Sequence, residues 1–177
     1  MSLRKSNIFL IGPMGSGKTA VGKHLSRLLR IPFRDSDAEI EARTGVDIPY
    51  IFSREGEAGF RQREREVLED VTRESPIVLA TGGGAILLPE NRVALHERGF
   101  NVYLETSLAQ QAERVRQGRT RPLLHDVDPL TKLTELMEVR APLYESLADF
   151  TIATDGRKVH VVADAIYAAF KAAQETP

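Results

Sequence analysis

A glycine-rich segment near the N-terminus has the spacing of a phosphate-binding loop. Residues 12–19 form Gly-Pro-Met-Gly-Ser-Gly-Lys-Thr, which satisfies G-x-x-x-x-G-K-[ST] in full. In such a loop the backbone N–H groups converge on a polyphosphate, the lysine reaches the β- and γ-phosphates, and the hydroxyl after it ligates Mg²⁺. The predicted nucleotide contacts are Gly12, Gly15, Ser16, Gly17, Lys18, Thr19 and Ala20. The loop alone does not distinguish a kinase from a GTPase, a motor or a synthetase.

Two aspartates follow a second short apolar run. The strongest apolar run, 77–80, ends in threonine and glycine and lacks the aspartate that commonly lies near the magnesium of such proteins. Alternate residues at a strand end share a side, so Asp35 and Asp37 are expected to face one metal and one second substrate. The alternative is that Asp37 is only a helix N-cap and Asp35 a turn residue. The missing strand-end aspartate favours the functional interpretation.

Three consecutive glycines, Gly82, Gly83 and Gly84, come directly after that apolar run. They are costly in backbone entropy unless a close approach matters. The carboxyl end of a parallel strand is where ligands bind in open α/β sheets. The pattern therefore favours a ligand wall of bare backbone N–H groups over an ordinary tight loop.

Arginine outnumbers lysine by 18 to 6 in this chain of 177 residues, whose formal net charge is −1. Arginine is the planar, bidentate partner of carboxylates and phosphates. Four of the arginines lie within eight residues that contain no acid: Arg114, Arg116, Arg119 and Arg121. The near-neutral total still argues against a nucleic-acid coat or a polybasic membrane anchor.

Several classes of protein are excluded by what the sequence lacks. There is no cysteine, which rules out a disulfide framework and any cysteine-ligated zinc or iron–sulfur site. The four histidines are scattered without ligand spacing. No apolar run approaches the ~20 residues of a membrane span, and the run after the first seven residues is too short for a signal peptide. These features predict a soluble cytoplasmic protein.

Short apolar runs alternate with helical periods, which predicts an α/β fold around a five-stranded parallel sheet. The predicted strands are 8–11, 32–35, 77–80, 101–104 and 150–153. The predicted helices are 18–30, 37–44, 59–74, 89–97, 107–116, 130–140, 143–147 and 159–175, and 119–129 is predicted to be a loop. Ser107 is the expected N-cap of its helix. With no repeat or linker, we expect a single domain with helices on both faces of the sheet.

Five further motifs follow the phosphate loop in order. They are Asp35-Ser36-Asp37, Phe60-Arg61-Gln62-Arg63-Glu64, Gly82-Gly83-Gly84, Arg121-Pro122-Leu123-Leu124 and Arg140-Ala141-Pro142-Leu143-Tyr144. The ordered set covers roughly residues 8 to 155 and resembles the shikimate kinase family. The resemblance implies ATP-dependent phosphorylation of the 3-hydroxyl of shikimate to give shikimate 3-phosphate and ADP, in chorismate and aromatic amino-acid biosynthesis.

The resemblance also implies an organisation for the chain. It is that of a P-loop NMP-kinase-like domain over residues 1–177, with its core at 7–116 and 129–175. A helical substrate-binding region would cover about 37–65, and a mobile lid about 117–128. The implied ligands are ATP, Mg²⁺ and shikimate; nucleic acid and membrane are not expected as partners, and a monomer is.

Roles for individual residues follow from the same resemblance. Lys18, Asp37 and Arg121 would be catalytic, and Thr19 with Asp35 would serve the magnesium. The shikimate pocket would contain Asp37, Ile48, Phe60, Arg61, Gly82, Gly83, Gly84 and Arg140, with Arg61 and Arg140 clamping the carboxylate. Arg114, seven residues before Arg121 as in the family, would stack on adenine, and Arg157 is the candidate for the other face. Arg121 would also touch the nucleotide.

Two other functions stay open at this point. A related P-loop kinase, for instance for gluconate or a nucleoside monophosphate, would keep the loop. A neutral or phosphorylated acceptor would not need a carboxylate clamp. A nucleotide-gated binding module would keep the fold without turnover, although no motif position is degraded. Arg63 and Arg65 on the charged helix are interpreted as solvated. Arg116 and Arg119 are interpreted as side chains of the lid without a specific role.

Overall fold

Five short strands form the centre of the computed structural model, which describes residues 5–118 and 122–175. The strands are β1 (Ile8–Ile11), β2 (Phe33–Asp35), β3 (Val78–Ala80), β4 (Phe100–Glu105) and β5 (Phe150–Ala153). They pair in the order β2-β3-β1-β4-β5, and every pair is parallel. The α/β class and the five-stranded parallel sheet predicted from the sequence are confirmed.

Helices connect the strands and cover both faces of the sheet. They are α1 (Lys18–Leu29), α2 (Ser36–Thr44), α3 (Ile48–Val71), α4 (Pro89–Arg98), α5 (Leu108–Gln117), α6 (Pro129–Leu147) and α7 (Val159–Glu175). Ser107 caps α5, as predicted, by accepting a hydrogen bond from the backbone N–H of Gln110 at 3.2 Å. None of the helices in the described ranges has the length and apolar character needed to cross a bilayer.

The core consists of two apolar layers separated by the sheet. Side chains alternate across a strand, so β1 sends Ile8 and Leu10 to one face and Phe9 and Ile11 to the other. The first face packs on α1 and α7, and the second packs on α3, α4 and α6. All four β1 side chains are completely buried. This central strand therefore gives the loop that follows it a rigid base.

The helical region before residue 71 differs from the prediction. A helix was expected over 59–74, whereas α3 begins at Ile48 and is interrupted at Gly56, whose φ of 68° is not helical. Asp47 caps the additional first segment by accepting a hydrogen bond from the N–H of Tyr50 at 2.9 Å. Arg63 pairs with Glu55 across the interruption at 2.6 Å. The two segments together line one side of the cleft described below.

The helix before the last strand also differs from the prediction. Two helices, 130–140 and 143–147, were expected on either side of Pro142, but α6 is continuous and contains this proline. A proline removes one intrahelical hydrogen bond, here to the carbonyl of Glu138, and both residues are exposed, so water can satisfy that oxygen. Leu133, Tyr144 and Leu147 on the buried face anchor both halves of the helix. Packing thus overrides the local preference to end the helix.

The parallel strands place every candidate functional segment at one edge of the sheet. The phosphate loop follows β1, Asp35 ends β2, and the triple glycine follows β3. Because β3 lies between β2 and β1, these three segments are neighbours in space. The topology therefore builds one site from distant parts of the chain.

Candidate active site

Lys18 is the buried charge of the phosphate loop. Its ammonium group donates to the carbonyl oxygens of Gly12 and Pro13, each at 2.7 Å, and lies 3.3 Å from the hydroxyl of Ser16. Only 8% of the residue is exposed. The ammonium group is therefore already at the loop that would bind a polyphosphate, and phosphate oxygens would be stronger acceptors for it than the carbonyl oxygens.

Thr19 and Asp35 lie side by side at the edge of this loop. The Thr19 hydroxyl donates to one carboxylate oxygen of Asp35 at 2.9 Å. The other oxygen caps α2 by accepting from the N–H groups of Asp37 at 3.0 Å and Ala38 at 3.2 Å. Asp35 is therefore the N-cap, and the alternative that gave this role to Asp37 is wrong. The hydroxyl and carboxylate oxygens of this pair are the ligand types that Mg²⁺ prefers.

Asp37 shares the site with Asp35 for a different reason than the one predicted. Alternation along a strand was expected to place the two carboxylates on one side. The strand instead ends at Asp35, and Asp37 belongs to the first turn of α2. Both side chains nevertheless line the same two cavities.

Two adjoining cavities lie at this edge of the sheet, one of about 1160 Å³ and a smaller one of about 310 Å³. The predicted site residues that line the larger one are Thr19, Asp35, Asp37, Ile48, Phe60, Arg61, Gly82, Gly83, Gly84 and Arg140. Those lining the smaller one, beside the phosphate loop, are Gly15, Gly17, Lys18, Thr19, Ala20, Asp35, Asp37, Gly82, Gly83 and Arg114. The two cavities share a wall, so a ligand in one is next to a ligand in the other.

Two guanidinium groups converge in the larger cavity. Arg140 on α6 is 3% exposed, and burial lowers its pKa, an effect that the neighbouring Arg61 charge reinforces. Arg61 on α3 donates to the carboxylates of Glu64 at 2.9 Å and Glu57 at 3.1 Å. Because the Arg61 charge disfavours the charge of Arg140, the pair favours an anionic ligand, and a carboxylate would relieve their repulsion.

The triple glycine gives these groups the space they need. A Cβ atom on Gly82 would lie 2.8 Å from a Glu64 carboxylate oxygen and 3.0 Å from one of Asp37. One on Gly84 would lie within 2.6 Å of three atoms of the Arg61 guanidinium. The side chains of the site thus pack directly on bare backbone, and a larger residue at either position would displace them.

One expectation about the glycines needs correction. All three N–H groups were expected to face a ligand, but that of Gly82 is buried and donates to the hydroxyl of Ser36 at 3.0 Å. Within the described ranges the N–H groups of Gly83 and Gly84 have no partner. These two therefore remain available to a ligand, while Gly82 serves to hold the start of α2 against β3.

Comparison with known proteins identifies the family of this chain. The family model described as shikimate kinase matches residues 14–171. A shikimate kinase from Hahella chejuensis is 51% identical over 97% of this chain and 89% of that protein, and one from Thioalkalivibrio sulfidiphilus is 52% identical over 91% and 85%. The chain belongs to the shikimate kinase family. The solved structure of shikimate kinase from Acinetobacter baumannii in complex with shikimate has a TM-score of 0.93 and 46% identity, covering 96% of this chain and 95% of that one.

Arg114 lines the smaller cavity beside the phosphate loop. Its guanidinium donates to the carbonyl oxygen of Gly15 at 2.8 Å, which places it against the phosphate loop. Arg116 pairs instead with Glu113 at the surface, at 3.8 Å. Arg157 is exposed in the turn after β5 and lines neither cavity. Of the candidates for adenine contact within the described ranges, Arg114 is the one built into the site.

Some arginines and loop residues considered in the sequence analysis do not line the two cavities or lie outside the described residues. Arg121 and Arg119 are outside the described residues. Gly12 and Ser16 do not line either cavity, but they accept hydrogen bonds from Lys18. The predicted loop after α5 contains a short 3₁₀ helix, Pro122–Leu124, whose first two residues border the larger cavity.

The apolar wall of the larger cavity contains the two residues predicted for a substrate pocket, Ile48 and Phe60, and a third, Phe52, that the sequence analysis missed. Phe60 is buried, and Ile48 is partly buried at the start of α3. Phe52, one turn after Ile48, packs on Phe60 with ring centroids 4.8 Å apart. Both rings belong to α3. Phe52 lies in the part of this helix before Gly56, which the sequence prediction did not include.

Glu64 is the charged residue that the sequence interpretation missed. It is fully buried, and one of its carboxylate oxygens has no hydrogen-bond partner. Its pKa is raised to about 7, mainly by burial and also by the neighbouring Asp37 charge, against the opposing effect of Arg61. A signal was available, because Glu64 occupies a position in the apolar stripe formed by Phe60, Val67 and Val71.

Replacing Glu64 with glutamine should change how stability depends on pH. Glu64 keeps its proton up to pH about 7 in the folded chain but only up to about 4.5 in the unfolded chain. Its protonation therefore contributes fully to the free energy of unfolding below pH 4.5, and this contribution is lost as the pH rises through 7. Glutamine removes this loss. We expect the free energy of unfolding of Glu64→Gln, measured with urea on the nucleotide-free protein, to rise by about 2–3 kcal/mol relative to that of the parent as the pH goes from 5 to 8.

The matched control for this measurement is Glu66→Gln. Glu66 is exposed on the same helix and bonds only Gln62. The control should follow the pH dependence of the parent chain. A Glu64→Gln curve parallel to that of the parent would contradict the assignment of a proton to Glu64.

Proposed function

We propose that this chain transfers the γ-phosphoryl group of ATP to the 3-hydroxyl of shikimate, giving shikimate 3-phosphate and ADP in the chorismate branch of aromatic amino-acid biosynthesis. Family membership supports this activity. The structural observation that carries the proposal is the pair Arg61 and Arg140, which faces a cavity sharing a wall with the phosphate loop.

The acceptor cavity has the chemistry required by a small carboxylated polyol. Arg61 and Arg140 would hold the carboxylate through charge-assisted hydrogen bonds, aided by the free N–H groups of Gly83 and Gly84. Asp37, at the other end of the glycine segment, would accept hydrogen bonds from the hydroxyl groups. The apolar rings of Phe52 and Phe60 would cover the face of the carbocycle. Carboxylate and hydroxyl groups are thus recognised at opposite ends.

The transfer itself requires alignment and positive charge more than covalent help. The oxygen of the acceptor hydroxyl forms a bond to the γ-phosphorus while the bond between that phosphorus and the β–γ bridging oxygen breaks. ADP leaves with the electron pair of the broken bond. Asp37 accepts the hydrogen bond of the attacking hydroxyl and orients it, and is the acceptor for its proton. Lys18 stabilises the charge on the β- and γ-phosphate oxygens.

Thr19 and Asp35 are the residues that would hold Mg²⁺. Their two oxygens lie 2.9 Å apart at the junction of the cavities. The residues that the structure describes contain no cluster of three or more histidines, cysteines or acids, which fits an ion that takes its remaining ligands from phosphates and water. When bound, Mg²⁺ supplies positive charge to the polyphosphate.

Further parts of the proposal concern the lid and the surroundings of the protein. Residues 117–128 would close over both substrates and exclude water that would otherwise hydrolyse ATP, with Arg121 contacting the transferring group. Arg114 would contact adenine, whereas Arg157 lines neither cavity and is not given this role. We also propose one domain for the whole chain, acting as a cytoplasmic monomer with no nucleic-acid or membrane partner.

Shikimate-dependent ADP release from Mg-ATP tests the proposed activity. Shikimate should support turnover, whereas its analogue with an alcohol in place of the carboxylate should lose about 100-fold or more in kcat/KM, because the charge-assisted hydrogen bonds from Arg61 and Arg140 would be lost. Gluconate and a nucleoside monophosphate are the controls for related kinases. The absence of any shikimate-dependent release, or equal rates with shikimate and its alcohol analogue, would refute the proposal.

A further inference from the structure

Tyr144 is a buried residue beside the acceptor cavity for which the mechanism above has no use. It lies on α6 one turn after Arg140 and is completely buried. It does not line either cavity. A tyrosine is enclosed in this way when its hydroxyl has specific partners, since an unsatisfied buried hydroxyl is costly.

The hydroxyl of Tyr144 contacts two parts of the site. It donates to the carbonyl oxygen of Gly83 at 2.5 Å. It also interacts with the guanidinium of Arg140: burial raises the pKa of Tyr144, and the nearby Arg140 charge opposes this. A guanidinium has only donors, so the Tyr144 oxygen is the atom of this pair that can accept. One oxygen atom thus connects the clamp arginine to the glycine segment.

Gly83 is the point where the acceptor and nucleotide sites meet. A Cβ atom there would lie 3.4 Å from a terminal nitrogen of Arg140 and 3.4 Å from the backbone nitrogen of Met14 in the phosphate loop. Gly83 also lines both cavities. Its orientation therefore affects the separation between an acceptor held by Arg140 and a phosphate held by the loop.

The ring of Tyr144 is itself fixed from below. It stacks on the ring of Tyr103 in β4, with centroids 5.1 Å apart and an angle of 25° between the planes. The aromatic pair belongs to the core layer under the site. The sheet thus supports the ring whose hydroxyl bonds the Gly83 carbonyl and lies near the Arg140 charge.

We propose that Tyr144 is a positioning residue for phosphoryl transfer: its hydroxyl joins Arg140 to the Gly83 carbonyl and so sets the acceptor at the correct distance from the phosphate loop. The proposal rests on the shikimate kinase activity proposed above. Tyr144 touches neither substrate, and it acts through the orientation of the two groups that do.

The test is Tyr144→Phe, which removes one oxygen and keeps the stacked ring. We expect kcat/KM for shikimate to fall about 10- to 100-fold, because the bond that holds the Gly83 carbonyl beside Arg140 is lost and the acceptor is misplaced. The dissociation constant for ADP, measured by calorimetry, should stay within about twofold. The matched control is Tyr103→Phe, which removes the same atom from the other ring of the pair. The Tyr103 hydroxyl lies near Glu105 and Glu145, so this variant should keep the parent kcat/KM.

Each outcome decides the matter. Unchanged kcat/KM in Tyr144→Phe would overturn the proposal, and so would equal losses in the two variants. A parallel loss of ADP affinity, or failure of Tyr144→Phe to fold, would also overturn it by giving Tyr144 a general structural role. If the parent chain itself shows no shikimate-dependent turnover, the proposed function fails, which is distinct from a failure confined to Tyr144.

Discussion

Replacing Lys18 with methionine should reduce phosphoryl transfer about 1000-fold while leaving the fold intact. The lysine is the buried cation of the phosphate loop, and its ammonium group bonds two carbonyl oxygens of that loop at 2.7 Å. Methionine keeps the apolar stem but supplies no charge to the phosphate oxygens. A coupled ADP-release assay at saturating substrates measures the change as a loss of kcat.

The control for this variant is Lys171→Met. Lys171 lies on α7, where its ammonium group stands 5.5 Å from the centre of the Tyr167 ring, and it lines neither cavity. Its substitution should leave turnover unchanged. A Lys18→Met enzyme that retained more than about a tenth of the parent kcat would contradict the assignment, since one preorganised charge is worth more than that.

Replacing Arg140 with alanine should damage acceptor binding selectively. The guanidinium is 3% exposed and faces the same cavity as Arg61, so its removal takes away half of the proposed carboxylate clamp. We expect the KM for shikimate to rise about 100-fold, with ADP affinity within about twofold of the parent. Steady-state kinetics in shikimate and calorimetry with ADP measure the two quantities separately.

Arg73→Ala is the control for general effects of removing an arginine. Arg73 is exposed at the end of the α3 region and pairs with Glu69. Arg73→Ala should leave the KM for shikimate and the affinity for ADP unchanged. Equal damage to shikimate and ADP binding in Arg140→Ala would refute the division of labour between the two cavities.

The sequence allowed the fold and most of the site to be predicted because both depend on short local patterns. The four apolar residues of β1 followed by a glycine-rich turn specify a buried strand and a phosphate loop together. The pattern of Asp35, Arg61, the triple glycine and Arg140 is carried by family motifs, and all of these residues line the larger cavity.

What the sequence did not reveal depends on contacts between distant segments. Glu64 was given no role of its own because it lies on a helix with alternating charges, whereas the structure buries it beside Gly82. The N–H of Gly82 was assigned to a ligand, but Ser36 occupies it from 46 residues away. The proline in α6 was expected to end a helix that the core holds together on both sides.

The site of phosphorylation on the acceptor tests the central claim most directly. The chain should be incubated with Mg-ATP and shikimate, and the product examined by two-dimensional proton–phosphorus NMR. We expect one new phosphate ester whose phosphorus correlates with the proton on carbon 3 of the ring, formed in equal amount to ADP. A phosphate on another hydroxyl, or inorganic phosphate as the only phosphorus product besides ADP, would contradict it.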